Sequence, residues 1–229
     1  MGLSLPPLTV YQKPENDEMK KLLLLGSVLA LSACGGDGVS KSDLQEAINT
    51  ANAENAVCLP YRLNVEHRLE NENPADTLVG APQIRLLKRQ DSGKHANEAA
   101  MAQMEMLSDA GLYKKGKELR IGEGEAAIRY VVFDLTDKGS EQILASIHGP
   151  LLCVGHEKVD SINFYTEPSP ANGVTLTQVS YQAKVEPERW ARKLIKSDDN
   201  FAEIRESHAK TATLVKTNDG WRDIRDLRN

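Results

Sequence analysis

Apolar positions along this chain follow three rhythms, and each predicts a different kind of segment. Leu44, Ala47, Ile48 and Ala51 recur at i, i+3, i+4 and i+7, the spacing of one face of an amphipathic helix. Ser42 suits its N-cap, with Gln45 completing a capping box. Ala100, Met101, Met104 and Leu107 also share a helical face and predict a helix over residues 97–109. Gly111 suits the left-handed residue just past its end. Strand-like runs cover residues 128–133, 151–154 and 161–165. Residues 174–185 hold the best strand pattern, with Val174 and Leu176, then Val179, Tyr181, Ala183 and Val185. The alternation slips at Thr177-Gln178, which predicts a bulge or bend there. The third rhythm is an unbroken apolar run over residues 22–31, directly after Lys20 and Lys21. It is too short to span a bilayer, which takes about 18 to 20 apolar residues.

Polar punctuation fills in the remaining elements. Residues 78–87 read equally as a short helix or an extended lead-in. Thr136 suits the cap of a helix that begins beside it. Residues 167–173, rich in Pro, Asn and Gly, predict a turn. Residues 188–196 predict a helix with Trp190, Leu194 and Ile195 facing inward, and Asp198-Asp199 can cap a short helix after it. Residues 211–216 and 221–224 read as a closing hairpin turned by Asn218-Asp219-Gly220. Together these predict an α+β fold. N-terminal helices with a hairpin come first, then a twisted antiparallel sheet with one or two helices.

Composition narrows the function. The chain of 229 residues carries a formal net charge of -5, which argues against a nucleic-acid partner. Lys114-Lys115-Gly116-Lys117 is the densest basic cluster and reads as a solvated loop. Aromatic residues are only 5% of the chain, so Val, Leu, Ile and Ala must fill the core.

The apolar run ends in Leu31-Ser32-Ala33-Cys34-Gly35. Leu31-Ser32-Ala33-Cys34 resembles the lipobox of bacterial lipoproteins, and residues 19–33 resemble their signal peptide. The resemblance implies that Cys34 becomes the lipidated first residue of the mature chain, carrying palmitate-like acyl chains. Gly35 in place of Asp after it implies export to the outer membrane, with the domain facing the periplasm. Residues 1–18, with Pro6, Pro7 and Pro14 ahead of a second Met, read as a gene-start artefact or an extension. Residues 34–41 then form a tether, and residues 42–229 the periplasmic domain, in sub-parts of about 42–148 and 149–229. In an oxidising compartment the two remaining cysteines, Cys58 and Cys153, are expected to pair, two separate buried thiols being the alternative. In the chain-entropy model such a staple is worth roughly 4 to 5 kcal/mol.

Two further resemblances concern the domain itself. Leu107, Ala110, Gly111, Leu112, Tyr130, Leu135, Thr136 and Gly139 resemble the grammar of winged-helix domains of bacterial regulators. Their DNA-reading role does not carry over to a lipid-anchored, acidic chain. Cys153, Gly155, Val159, Ile162, Tyr165, Pro168, Trp190-Ala191, Thr217 and Trp221 are similar to a pattern in proteobacterial lipoproteins. That similarity brings no activity with it.

Motifs of catalysis are sparse. His67, His95, His148, His156 and His208 fall in no metal-ligand spacing. His156 lies near Cys153, but a disulfide there would leave no thiolate. Ser207-His208-Ala209-Lys210 matches the S-x-x-K pattern of serine acyl-enzymes, without its partner motifs. Gly122-Glu123-Gly124 is acidic and suits a hairpin tip rather than a phosphate site. Trp190 and Trp221 suit core packing. The expectation is therefore a lipoprotein with no catalytic, cofactor or metal residues. It is held to the membrane by lipid on Cys34 and acts on an envelope protein partner as an interaction or assembly module. A periplasmic immunity or inhibitor lipoprotein is the alternative of the same kind, and a small envelope hydrolase is the opposing one.

Overall fold

The computed structural model describes residues 39–70, 72–90, 92–124 and 127–227. The expected signal segment, Cys34 and the first part of the expected tether lie outside the described residues. In chain order the elements begin with α1 (Lys41–Ala53), β1 (Ala56–Leu59), β2 (Gln83–Leu87), α2 (Glu98–Asp109), β3 (Tyr113–Lys115), β4 (Leu119–Ile121) and β5 (Ile128–Leu135). They continue with α3 (Asp137–Ser140), β6 (Ile143–Leu144), β7 (Leu151–Tyr165), β8 (Ser169–Ala171), β9 (Val174–Pro187), α4 (Arg192–Ser197), β10 (His208–Thr217) and β11 (Gly220–Asp223).

The larger sheet runs β1-β7-β9-β10-β11, with β6 added on β7 and β8 on β9, all antiparallel. It curls into a half-barrel, and α1 fills its concave side. Leu44, Ala47 and Ile48 of α1 pack on Val159, Val179, Tyr181, Ala183, Leu214 and Trp221. Those are the positions that the helical spacing put on one face, so the amphipathic reading of α1 holds. Its cap does not. Ser40, in extended conformation, accepts from the backbone N–H groups of Ser42 and Asp43, so the helix starts before Ser42 and the expected capping box is not the one formed.

Long strands show where alternation succeeds and where it misleads. In β9, Thr177, Val179, Tyr181, Ala183 and Val185 are all buried, in unbroken alternation. No slip occurs at Thr177-Gln178. The polar Thr177 takes a core-facing place because its hydroxyl donates to the Thr166 carbonyl at 2.7 Å. The bulges fall instead in β7, between Val159 and Ser161 and between Ile162 and Phe164. β1 pairs only with the first part of β7, so the outer edge beyond it needs cover. α1 supplies it: Asn49 Oδ1 accepts from Val159 N at 2.8 Å, and Lys41 Nζ donates to Ile162 O at 3.2 Å.

The smaller sheet runs β2-β5-β3, with β4 also on β5. One face packs on α2, where Ile84, Leu86 and Phe133 join Ala100, Met104 and Leu107 in a second core. Tyr61, Leu152, Val154, Leu194 and Phe201 belong to the same core, which makes it continuous with the back of the larger sheet.

This architecture overturns the expected α+β fold with N-terminal helices and a winged-helix-like hairpin. The chain is mostly β-sheet, with few helices. Among the described residues ahead of residue 137, α1 and α2 are the α-helices, separated by strands and a short 3-10 turn at Pro74–Thr77, and they pack on different sheets. The local signals behind the winged-helix reading are nonetheless real. Gly111 has φ +78°, and Thr136 caps α3 by accepting from Gly139 N. Tyr130 and Leu135, however, belong to β5, the central strand of the small sheet. Leu44 is fully buried at the centre of the half-barrel. Leu44→Ala should therefore cost about 3 kcal/mol, read as a lower urea midpoint with an unchanged denaturant slope.

Candidate functional site

The structure brings together one of the pairs expected from sequence. Cys58 and Cys153 are direct cross-strand partners on β1 and β7, with their sulfurs 2.01 Å apart. The register slips between Val57 and Cys58, skipping Val154, which is buried in the core. Cys153 so placed offers His156 no thiol. The His156 ring instead faces the Glu188 carboxylate, at 4.0 Å.

The serine-lysine motif is not assembled. Lys210 lies in β10, and Ser207 immediately precedes that strand. Residues three apart in an extended segment point to opposite faces, whereas S-x-x-K chemistry needs a helical turn. Lys210 Nζ is held by both oxygens of Glu157, at 2.5 and 2.6 Å. The His208 ring nitrogen Nε2 lies 3.0 Å from the Glu203 carbonyl. Trp221 walls the half-barrel core, with Lys216 Nζ 5.4 Å from its ring centre. Trp190 is partly buried, and its Nε1 has no hydrogen-bond partner among the described residues.

Besides a hollow of about 470 Å³ around Arg62 and Thr77 and one of about 460 Å³ around His156, Glu188 and Arg192, two others could hold a small ligand. One, of about 480 Å³, lies between the end of α2 and Trp190. Its rim mixes Asp109 and Glu188 with Lys138, Arg189 and Lys193, and Lys138 Nζ is engaged by the Ala110 carbonyl at 2.6 Å. The other, of about 450 Å³, lies on the outer face of the small sheet around Glu72, Arg85 and Tyr130. Tyr130 donates to Glu72 Oε1 at 2.6 Å. Burial, then the Glu72 carboxylate, pushes the Tyr130 phenol up to about 12, so it stays protonated at neutral pH and serves as a donor rather than a base. Neither hollow joins a nucleophile to a base. Among the described residues, no group of three or more His, Cys, Asp and Glu is placed to hold a metal ion.

The most perturbed polar cluster was not legible in the sequence. Asp198 caps the turn after α4, as its position suggests, with Oδ1 accepting from Asn200 N at 2.9 Å. Its Oδ2 accepts from Tyr61 Oη at 2.5 Å and from Gln103 Nε2 at 2.6 Å. Gln103 in turn accepts from Asn64 N. Burial alone would raise the Asp198 carboxyl, but hydrogen bonds from Gln103, Tyr61 and Asn200 outweigh it and hold the group below the usual range. Burial, then Asp198, drives the Tyr61 phenol upward. Asp198 is only 7% exposed and Tyr61 not at all. The cluster is a lock between three stretches of chain, closed to substrate.

A few large apolar side chains also face solvent. Leu144 at the end of β6 is 52% exposed, and Ile147 in the loop after it is 95% exposed. Phe164 near the end of β7 is 65% exposed. Among the described residues, no helix is long and apolar enough to cross a membrane. Protein-family models, curated proteins and solved structures give no match to this chain.

Asp198→Ala should cost about 3 kcal/mol, because it strands the buried Tyr61 hydroxyl and Gln103 amide. The pH dependence has a definite sign. A carboxyl held below its unfolded value contributes in full above about pH 4 and is lost as the pH falls through the folded value. Thermal melts between about pH 2 and 7 should show the wild type losing stability at the acid end, and Asp198→Asn, weaker at neutrality, losing less of it.

Proposed function

We propose that this chain is a lipid-anchored bacterial envelope protein whose domain works by contact with a protein partner, without catalysis. The anchor rests on the lipobox resemblance at Leu31-Ser32-Ala33-Cys34 and on the basic, apolar and small residues in order before it. The facing of Cys58 and Cys153 supports an oxidising compartment, where such a pair is kept as a disulfide. One observation carries the contact reading: Ile147 stands almost wholly in water in the loop after β6, three residues beyond the half-exposed Leu144 that ends that strand. Large apolar side chains exposed this close in sequence suit burial against a partner. An assembly factor and an inhibitor of a secreted enzyme would use the same surface.

Metabolic labelling with a palmitate analogue should mark the wild type and not Cys34→Ser; equal labelling sinks the anchor. Non-reducing peptide maps of envelope material should join Cys58 to Cys153, and two free thiols would contradict the compartment. Complementation of a deletion strain tests the contact. Ile147→Ser should keep stability within about 0.5 kcal/mol and lose function. Ser207→Ala and His156→Ala should complement in full. Failure of either of these two at normal abundance favours a hydrolase, since deleting a nucleophile or base costs orders of magnitude in rate.

A further inference from the structure

We propose that one end of the half-barrel, carrying Phe164 and the β8–β9 hairpin, lies on the phospholipid surface. This assignment rests on the lipid-anchor reading above and says which face of the domain that anchor presents. The chain joins the domain at Val39, whose carbonyl accepts from Tyr165 Oη at 3.1 Å. Lys41 ties the same end to Ile162 O at 3.2 Å. The start of α1 is thus fastened to the last residues of β7. Five residues lead from Cys34 to Val39, and a fully extended chain spans at most about 3.6 Å per residue. A lipidated Cys34 therefore holds Val39 within about 18 Å of the bilayer, whatever path the tether takes.

That end has the chemistry of a membrane-contacting surface. Phe164 is 65% exposed beside the tethered Tyr165. The hairpin that follows is uncharged from residue 168 through residue 178, although charged residues make up 27% of the chain. Its tip turns at Asn172 and Gly173, with φ +52° and +82°, and Val174 beyond it is 44% exposed. Ala171 pairs with Val174, Pro170 with Thr175 and Ser169 with Leu176, so the strands flanking the tip meet much of each other's hydrogen-bonding need. A paired backbone and uncharged side chains can settle among lipid headgroups without stranding polar groups. An aromatic ring gains from the same interface. The charges nearby leave no positive excess, Lys41 and Lys216 standing against Asp43, Glu167 and Asp219. Contact therefore comes from Phe164 and the hairpin rather than from attraction to anionic lipid.

Ile147 lies beyond the opposite end of β7. Fourteen steps at about 3.3 Å set the two ends of that strand roughly 45 Å apart along its path. The partner-facing loop is thereby turned away from the membrane.

The test uses the lipidated full chain in vesicles of phosphatidylethanolamine and phosphatidylglycerol, with acyl chains brominated or not. Phe164→Trp and Ile147→Trp are compared, with the wild type as background for Trp190 and Trp221. The added emission of Phe164→Trp should fall at least twofold in brominated vesicles, and that of Ile147→Trp should not change. Unquenched emission from Phe164→Trp, or quenching of Ile147→Trp, overturns the assignment. Intact mass separates the two levels. With lipid present on Cys34, such a result removes this face alone; with lipid absent, the anchor and the face fall together.

Discussion

A curled antiparallel sheet has a concave apolar face that water must not reach, and here one helix of 13 residues closes it. Much of the fold depends on that closure. The side of α1 that carries Leu44, Ala47 and Ile48 fills the hollow. A neighbouring side reaches the exposed edge of β7 through Lys41 and Asn49. Without α1 the half-barrel would expose both a greasy floor and a row of unpaired backbone groups. Such an edge invites pairing with other chains. The same helix also fixes where the chain meets the domain, because Val39 is pinned to Tyr165 just ahead of it.

The elements legible in the sequence were those whose signal is local and long. α1, α2, β9 and the closing hairpin each repeat a period several times. The fold class was misread because β1 to β4 are strands of three to five residues, too short for alternation to register. β3 and β4, just after α2, passed for a loop, and β2 read equally as a short helix or an extended lead-in, so the front of the chain seemed helical. The winged-helix grammar failed for a related reason. A glycine at a helix end and a capping threonine specify local geometry, and many topologies share them. At Thr177 the misreading was chemical. A hydroxyl that satisfies itself on the neighbouring strand can stand where an apolar residue was expected.

Site residues divided along the same line. The cysteine pair could be anticipated by counting, since two thiols remain once Cys34 is set aside. The Asp198 lock could not. Its partners Tyr61 and Gln103 lie 137 and 95 residues away, and nothing in local spacing links them. Serine and lysine at positions 207 and 210 matched a motif whose geometry presumes a helix. In the extended segment that contains them, the two side chains point apart.

Where the domain spends its polar chemistry bears on what it can do. Most of the groups shifted from ordinary acidity that the cores hold, Tyr61, Tyr113 and Asp198, satisfy one another or the backbone there, while Tyr130 is held by Glu72 beside a hollow. Tyr113, raised by burial to about 12, is an example. It donates to the Ala81 carbonyl and accepts from Gly80 N. A catalytic site needs the opposite arrangement, with perturbed groups converging on a cleft that substrate can enter. Here the perturbed groups rigidify the frame, while exposed apolar side chains stand at the strand ends and loop tips. Rigid framing with apolar tips lowers the entropy lost on association, because those tips are already held in place. On the proposed anchoring, the two ends are not equivalent. The end beside Val39 would be confined near the anchor, and the end beyond the start of β7 would be free to meet whatever diffuses past. An architecture of that kind separates holding from contacting along the length of a single 15-residue strand.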